Sequence, residues 1–172
     1  NNTPLQLYAA TKISNEVMAH SYSHLYGFES IGLRFFTVYG PYGRPDMAIY
    51  KFTDAIYKNK KIDLFGSGKM LRDCTYVDDI VIGIIKTLKN KTTSVDHNHN
   101  IYNIGYGNPV TIKSILKEIE MNTNKKANIR IIPKHNSEMD KTYCSTFKFN
   151  KKFNFKAKID INEGLKKFND WY

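Results

Sequence analysis

Hydrophobic and polar positions along the chain switch repeatedly between the helical period and the strand period, which predicts an α/β order of elements. The polar start, Asn1-Asn2-Thr3-Pro4, offers Thr3 as a helix cap and Pro4 for a first turn. From Leu5 to about Tyr26, Leu7, Ile13, Val17 and Leu25 fit one long helix that Gly27 stops. Ser30 to Val38 reads as one strand with few polar residues, as in a buried parallel sheet. It runs into Tyr39-Gly40-Pro41-Tyr42-Gly43-Arg44-Pro45, a loop punctuated by two glycines and two prolines. Loops at the carboxyl ends of parallel strands are where doubly wound folds hold ligands.

A helix from about Ala48 to Lys58 follows, then a strand from Ile62 to Phe65 and a turn at Gly66-Ser67-Gly68. The next helix spans about Val77 to Leu88, with Asp78 and Asp79 suited to its N-terminus. Lys89 to Asn100 is polar and is expected to be a mobile loop. Ile101 to Gly105 reads as a strand and turn, Thr111 to about Met121 as an amphipathic helix, and Ile129 to Pro133 as a strand. Thr142 to Cys144 reads as a short extended piece. A last helix from Ile161 to Trp171 is expected to bury Leu165, Phe168 and Trp171. Phe147, Phe149, Phe153 and Phe155 read as packing residues.

Composition narrows the function classes. With 41% hydrophobic residues the chain can bury a core, and no run approaches the roughly 18 apolar residues of a membrane helix. The two cysteines, Cys74 and Cys144, make no disulfide or metal framework, so a reducing, cytoplasmic compartment is expected. The net charge of +10 is uneven: the excess is +2 over residues 1–86 and +8 over residues 87–172. Of the 26 basic residues 22 are lysines scattered among asparagines, without an arginine stripe, so no nucleic-acid partner is expected. A positive field can still help to collect a diphosphate. His20 and His24 share a helix face, and His97 and His99 share a loop, but neither pair has a third ligand and no metal is expected.

The candidate chemistry lies near the start, in Leu7-Tyr8-Ala9-Ala10-Thr11-Lys12. Tyr8 and Lys12 are four residues apart, one above the other on a helix face. An ammonium held against a phenol favours the phenolate and brings it within reach of proton transfer near neutral pH. This spacing alone is common.

Its surroundings are not. Tyr8-Ala-Ala-Thr-Lys12 with Asn15-Glu16, followed by Gly32-Leu-Arg-Phe-Phe-Thr-Val-Tyr-Gly-Pro41, resembles the extended short-chain dehydrogenase/reductases that act on nucleotide sugars. Gly43-Arg-Pro-Asp-Met-Ala48, Gly68-Lys-Met70 and Arg72-Asp-Cys-Thr-Tyr-Val-Asp-Asp-Ile80 resemble the UDP-glucuronate 4-epimerases within that family. The resemblance implies the C-terminal part of a Rossmann fold together with a smaller α/β substrate-binding domain. Residues 1–39 and 76–105 would belong to the first, and residues 40–75 and 106–172 to the second.

The resemblance also implies NAD and a UDP-sugar substrate, with Tyr8 as proton acceptor and Lys12 holding it ionised beside the nicotinamide ribose. Phe35, Thr37 and Val38 would border the cofactor. Thr37 and Arg44 would contact a uronic acid, Arg44 as a bidentate partner of its carboxylate. Asp63, Leu64 and Phe65 would lie along the uracil, and Arg72 would grip the diphosphate. Where relatives place an acid for the nucleotide ribose, this chain reads Asn136-Ser137-Glu138, making Glu138 the candidate. Relatives with Ala and Asp in the nearby motif contrast with Cys144 and Ser145 here.

No G-x-x-G-x-x-G loop occurs in the chain. It is therefore expected to be the C-terminal half of an epimerase, with the catalytic Ser/Thr also upstream, inactive alone and a homodimer at full length. Sister activities remain open: UDP-glucuronate decarboxylase, nucleotide-hexose 4,6-dehydratase, and a non-catalytic nucleotide-binding member.

Overall fold

The structure is a computed structural model that describes residues 4, 6–90, 99–134 and 139–172. The long first helix, α1 (Leu7–Tyr26), starts two residues later than its pattern predicts, with Gln6 at the N-cap and no side-chain cap bond. Thr3 lies outside the described residues. Gly27 ends α1 in the left-handed conformation (φ 69°), donating its N–H to the Ser23 carbonyl, as a helix-stopping glycine does.

The predicted single strand at 30–38 is two. β1 (Ser30–Phe35) and β2 (Thr37–Tyr39) part at Phe36 because they pair with different partners. β1 runs parallel to β6 (His99–Ile104), with Ser30 opposite His99 and Phe35 opposite Ile104. β2 runs parallel to β5 (Cys74–Tyr76), with Thr37 opposite Cys74. Between them lie α2 (Ala48–Tyr57), β3 (Lys61–Phe65), a 3₁₀ turn at Gly66–Gly68 and β4 (Leu71–Arg72). After β5 come α3 (Val77–Lys89) and β6. β7 (Val110–Thr111) pairs antiparallel with β4 and leads into α4 (Ile112–Thr123), which the Thr111 hydroxyl caps by accepting the Ser114 N–H at 3.0 Å. β8 (Asn128–Ile132) lies parallel to β3.

Two elements depart from expectation. His99 and Asn100, assigned to a loop, open β6, while residues 91–98 lie outside the described residues. The short extended piece read at 142–144 forms no regular strand but meets β4 beside an isolated bridge between Leu71 and Lys141, the Thr142 N–H donating to the Leu71 carbonyl at 3.1 Å. Phe147, Phe149 and Phe153 instead fall in α5 (Phe147–Phe153), a seven-residue helix too short for its periodicity to stand out, with Phe155 just beyond it. α6 (Ile161–Trp171) closes the chain as predicted, capped by the Asp160 carboxylate accepting the Glu163 N–H.

Two buried cores result. One gathers α2, β3, α4 and α6 around Phe52, Ile62, Leu64, Leu116, Leu165 and Phe168. The other packs Phe149, Phe153 and Phe155 against Tyr102 and Ile104 of β6 and Ile80 of α3. It therefore joins 149–157 to the sheet side of the molecule, across the division drawn at residue 105. Glycine is required where α6 crosses the first core: a Cβ on Gly164 would stand 2.0 Å from the Tyr39 hydroxyl and 3.0 Å from the Tyr76 ring. Asp79, expected to serve its own helix end, is 3% exposed and accepts the N–H groups of Lys158 and Ile159, tying α3 to the approach of α6. Phe147 and Trp171 are not buried as expected.

The first helix and strand are only half covered. Leu7, Val17 and Leu25, apolar positions of α1, are 82%, 60% and 72% exposed, and Phe35 at the end of β1 is 49% exposed. Among the described residues β1 has one strand neighbour, β6. Ser23 is the buried residue of α1, its hydroxyl donating to the Phe28 carbonyl at 2.5 Å.

His99 supplies a prediction here. Its Nδ1 lies 2.9 Å from the Ser30 hydroxyl, and its ring meets that of His20 edge-on with centroids 6.0 Å apart. Burial lowers its pKa from the usual 6.5, His20 adds to this, and Glu16 opposes both. The unfolded chain therefore takes up the proton first. Stability is expected to fall as pH drops below about 6.5, until the folded value is passed. His99→Gln, which keeps a partner for Ser30, should flatten the fall in urea midpoint between about pH 7 and 5. Parallel curves for the two proteins would assign the fall to other groups.

Candidate active site

Tyr8 and Lys12 stand one turn apart near the start of α1, and the Lys12 Nζ lies 5.4 Å from the centre of the Tyr8 ring. The Tyr8 side is open, 69% exposed, and the Thr11 hydroxyl donates to its carbonyl at 2.8 Å. One turn beyond Lys12, Glu16 accepts two bonds from Arg34 of β1, from Nε at 2.6 Å and Nη2 at 2.7 Å. The Arg34 hydrogen bond, then its charge, holds the Glu16 carboxyl below its ordinary pKa against the opposing effect of burial. This pair anchors α1 to β1.

The Gly/Pro loop leaves β2 through Gly40 (φ 142°), where a Cβ would stand 2.6 Å from Val77. Tyr42 follows in the left-handed region (φ 59°), its ring edge-on to Trp171 at 5.2 Å. Arg44 then forks onto Asp46: its Nε donates to Oδ1 at 3.0 Å and its Nη2 to Oδ2 at 2.5 Å. This hydrogen bond, then the Asp46 charge, raises the Arg44 pKa. The structure thus brings Tyr8 and Lys12 together on α1, while Arg44 stands on the loop after β2, paired with Asp46. Sequence reasoning overlooked Asp46 as the partner of Arg44, although the spacing of two was visible.

Thr37 and Val38 are half-buried in β2, and the Thr37 N–H donates to the Asp73 carbonyl at 3.2 Å. Phe35 is about half exposed at the end of β1. The β3 residues divide. Leu64 is 4% exposed and points into the core, while Asp63 takes a fork from Arg130 of β8 at 2.6 and 2.7 Å. Phe65 is half open beside a groove of about 550 Å³ that runs past Pro45, Tyr50 and Asp63. The Arg44 loop and the β3 strand therefore border one groove. A second cavity, about 250 Å³, is lined by Cys74, Tyr106, Asn108 and Asp160 and includes none of the candidate residues.

Arg72 is held by its own surroundings: Nη1 donates to the carbonyls of Leu71 and Met139, each at 2.9 Å. Beside it Asp73, fully buried, accepts the Cys144 N–H at 2.8 Å and the Gly107 N–H at 3.1 Å. Burial raises the Asp73 pKa, and the two backbone bonds oppose that rise. Sequence reasoning missed this carboxylate, which fastens the segment after residue 138 to the Arg72 strand; an acid beside an arginine was the available signal. Glu138 itself lies outside the described residues. The thiols of Cys74 and Cys144 are pushed up to about 12 by burial and stay unpaired. Among the described residues no three His, Cys, Asp or Glu side chains gather as metal ligands, and no helix is long and apolar enough to cross a membrane.

Residues 1–105 match the model of the NAD dependent epimerase/dehydratase family. A protein of Methanocaldococcus jannaschii is 45% identical over 169 residues, covering 98% of this chain and 50% of its own length. A UDP-glucuronate 4-epimerase of Thermodesulfobacterium geofontis is 41% identical over 171 residues, covering 99% and 51%. The structure of a UDP-glucuronic acid 4-epimerase from Bacillus cereus with UDP-glucuronic acid and NAD superposes with a TM-score of 0.88 at 29% identity, over 98% of this chain and 53% of that one. The chain spans about half the length of the curated relatives it matches.

Proposed function

Because the chain belongs to the NAD dependent epimerase/dehydratase family, we propose that it forms the substrate side of a UDP-sugar 4-epimerase, with UDP-glucuronate and UDP-galacturonate as the interconverted pair. The observation that carries this reading is the pairing of Tyr8 with Lys12 on α1, a phenol with an ammonium over its ring, in a chain whose loop after β2 carries a guanidinium at Arg44. An epimerase for a uronic acid needs a proton acceptor and a carboxylate partner on the same sugar. The 38–41% identity to proteins named UDP-glucuronate 4-epimerase supports the same substrate.

The residues present fit NAD. Tyr8, Lys12 and Phe35 are exposed, and among the described residues β1 has an edge without a strand neighbour. Lys12 would hold the nicotinamide ribose there, with the backbone of Phe35 to Val38 along its edge. When bound, NAD accepts and returns the hydride of the sugar C4. Tyr8 takes the 4-hydroxyl proton, which lets a 4-keto sugar form, and gives the proton back after the sugar has turned over. Lys12 favours the ionised phenol during the first step. Thr37 and Arg44 hold the uronate, Arg72 the diphosphate, Asp63 to Phe65 the uracil side and Glu138 the ribose. Since Leu64 is core and Asp63 is forked by Arg130, the uracil contact of β3 rests on its backbone and Phe65.

On this reading residues 1–39 and 76–105 complete the cofactor domain and the remainder the substrate domain, and the catalytic unit includes a half bearing the glycine-rich loop. A cytoplasmic homodimer belongs to the same proposal. It is supported by the two unpaired thiols and by the exposed apolar positions Val81, Ile82, Ile85 and Leu88 of α3.

The deciding experiment offers UDP-glucuronate to the full-length protein and follows the product by chromatography and NMR. UDP-galacturonate is expected. A UDP-pentose would make it a decarboxylase, and no conversion of any nucleotide sugar, with binding retained, a non-catalytic member. The 172-residue chain alone, given NAD, is expected to show no turnover.

A further inference from the structure

Lys12 has two neighbours one helical turn away, Tyr8 before it and Glu16 after it, all on one face of α1. A lysine followed four residues later by a glutamate ordinarily drifts toward the carboxylate, since opposite charges at this spacing attract. Here it does not. The Lys12 Nζ lies over the Tyr8 ring, and among the described residues no carboxylate is within ion-pair distance of it. The reason is visible in β1. Glu16 has both oxygens engaged by Arg34, at 2.6 and 2.7 Å, in a fork that is stronger and more directional than a lysine contact. His99 of β6 is the other charge-bearing group that acts on Glu16.

We propose that Arg34 is a positioning residue: by occupying Glu16 it keeps that carboxylate from capturing Lys12, and so leaves the ammonium over Tyr8. This rests on the reading of Tyr8 as the proton acceptor. Arg34 touches neither sugar nor cofactor in this role. It acts through Glu16 on Lys12, and through Lys12 on Tyr8. The groups that bear on this ladder are Lys12 and His20 on α1 itself, Arg34 from β1, His99 from β6 and, at Tyr8, Arg44 from the loop after β2.

The test separates competition from mere anchoring. Arg34→Gln frees Glu16 to draw Lys12 away. Arg34→Gln/Glu16→Gln loses the same anchor but leaves no carboxylate to compete. In the full-length protein each is compared with wild type, and each of the three with its own Tyr8→Phe version. The difference in phenolate absorbance near 295 nm then reports Tyr8 alone, independent of activity. Recording above about pH 7.5, beyond the ordinary histidine range, keeps the lowered His99 neutral throughout. Arg34→Gln should move the Tyr8 signal upward by about one pH unit, the low end of what a close opposite charge achieves. The double variant should return it most of the way to wild type.

No movement in the single variant overturns the proposal. Equal movement in single and double variants also overturns it, since the pair would then act as an anchor. Failure of the epimerase reading would show separately, as absence of turnover by wild type, and the absorbance result would stand either way. Where wild type does turn over, the alkaline rise of its pH–rate profile should shift in the single variant and recover in the double.

Discussion

Tyr8→Phe in the full-length protein is expected to lower kcat for UDP-glucuronate by at least about 10²- to 10⁴-fold, the usual contribution of a positioned general base. The phenyl ring keeps the shape and the face over which the Lys12 ammonium lies, but it cannot accept a proton. Little structural damage should accompany the loss. The side chain is 69% exposed and, among the described residues, no group hydrogen-bonds its hydroxyl, so removing that oxygen orphans no buried partner. Nucleotide binding measured by calorimetry and the thermal midpoint should therefore stay near wild type while turnover disappears. A Tyr8→Phe enzyme with near wild-type kcat would mean that the proton goes to another group.

Arg44→Gln should weaken UDP-glucuronate binding by about 10- to 150-fold, corresponding to the roughly 1.5–3 kcal/mol net of a charged hydrogen bond. UDP-glucose binding should change little, because a neutral sugar offers no carboxylate to the guanidinium. The structure adds a term that the sequence motif does not contain. Arg44 is forked to Asp46, so the substitution also releases an unpaired carboxylate in the ligand loop, which repels a uronate. Arg44→Gln/Asp46→Asn removes that repulsion and should recover part of the uronate affinity without affecting UDP-glucose. Equal loss for both sugars in the single variant would show that the pair only holds the loop. It would also remove the reason for preferring a uronic acid over neutral sugars.

Asp46 illustrates how site geometry exceeds the motif. The segment Gly43-Arg-Pro-Asp-Met47 marks the loop as a candidate ligand loop, yet which of its charges meet one another depends on the turn between them. Met47 donates its N–H to the Arg44 carbonyl at 3.2 Å, closing a turn that returns Asp46 to the arginine. The same holds for Glu16 and Arg34, eighteen residues apart in sequence and joined only because α1 lies along β1.

Much was legible in the sequence because it depends on neighbours along the chain. The 3.6-residue period placed α1, α2, α3, α4 and α6 within a few residues, since an amphipathic face repeats locally and Gly27 or Thr111 marks its end. Tyr8 and Lys12 were readable for the same reason: a spacing of four on a helix fixes proximity without help from elsewhere. Only tertiary structure decided the rest, because it turns on contacts between distant segments. The break between β1 and β2 arises from two different strand partners, β6 and β5. α5 is held by packing of Phe149 and Phe153 on Tyr102, which a seven-residue stretch cannot announce by period alone. The burial of Asp73 and Asp79 follows from backbone N–H groups brought in from residues 107, 144, 158 and 159. A carboxylate is written in the sequence as polar wherever it stands; which backbone donors meet it, and so whether it can be buried, is settled by the chain that folds over it.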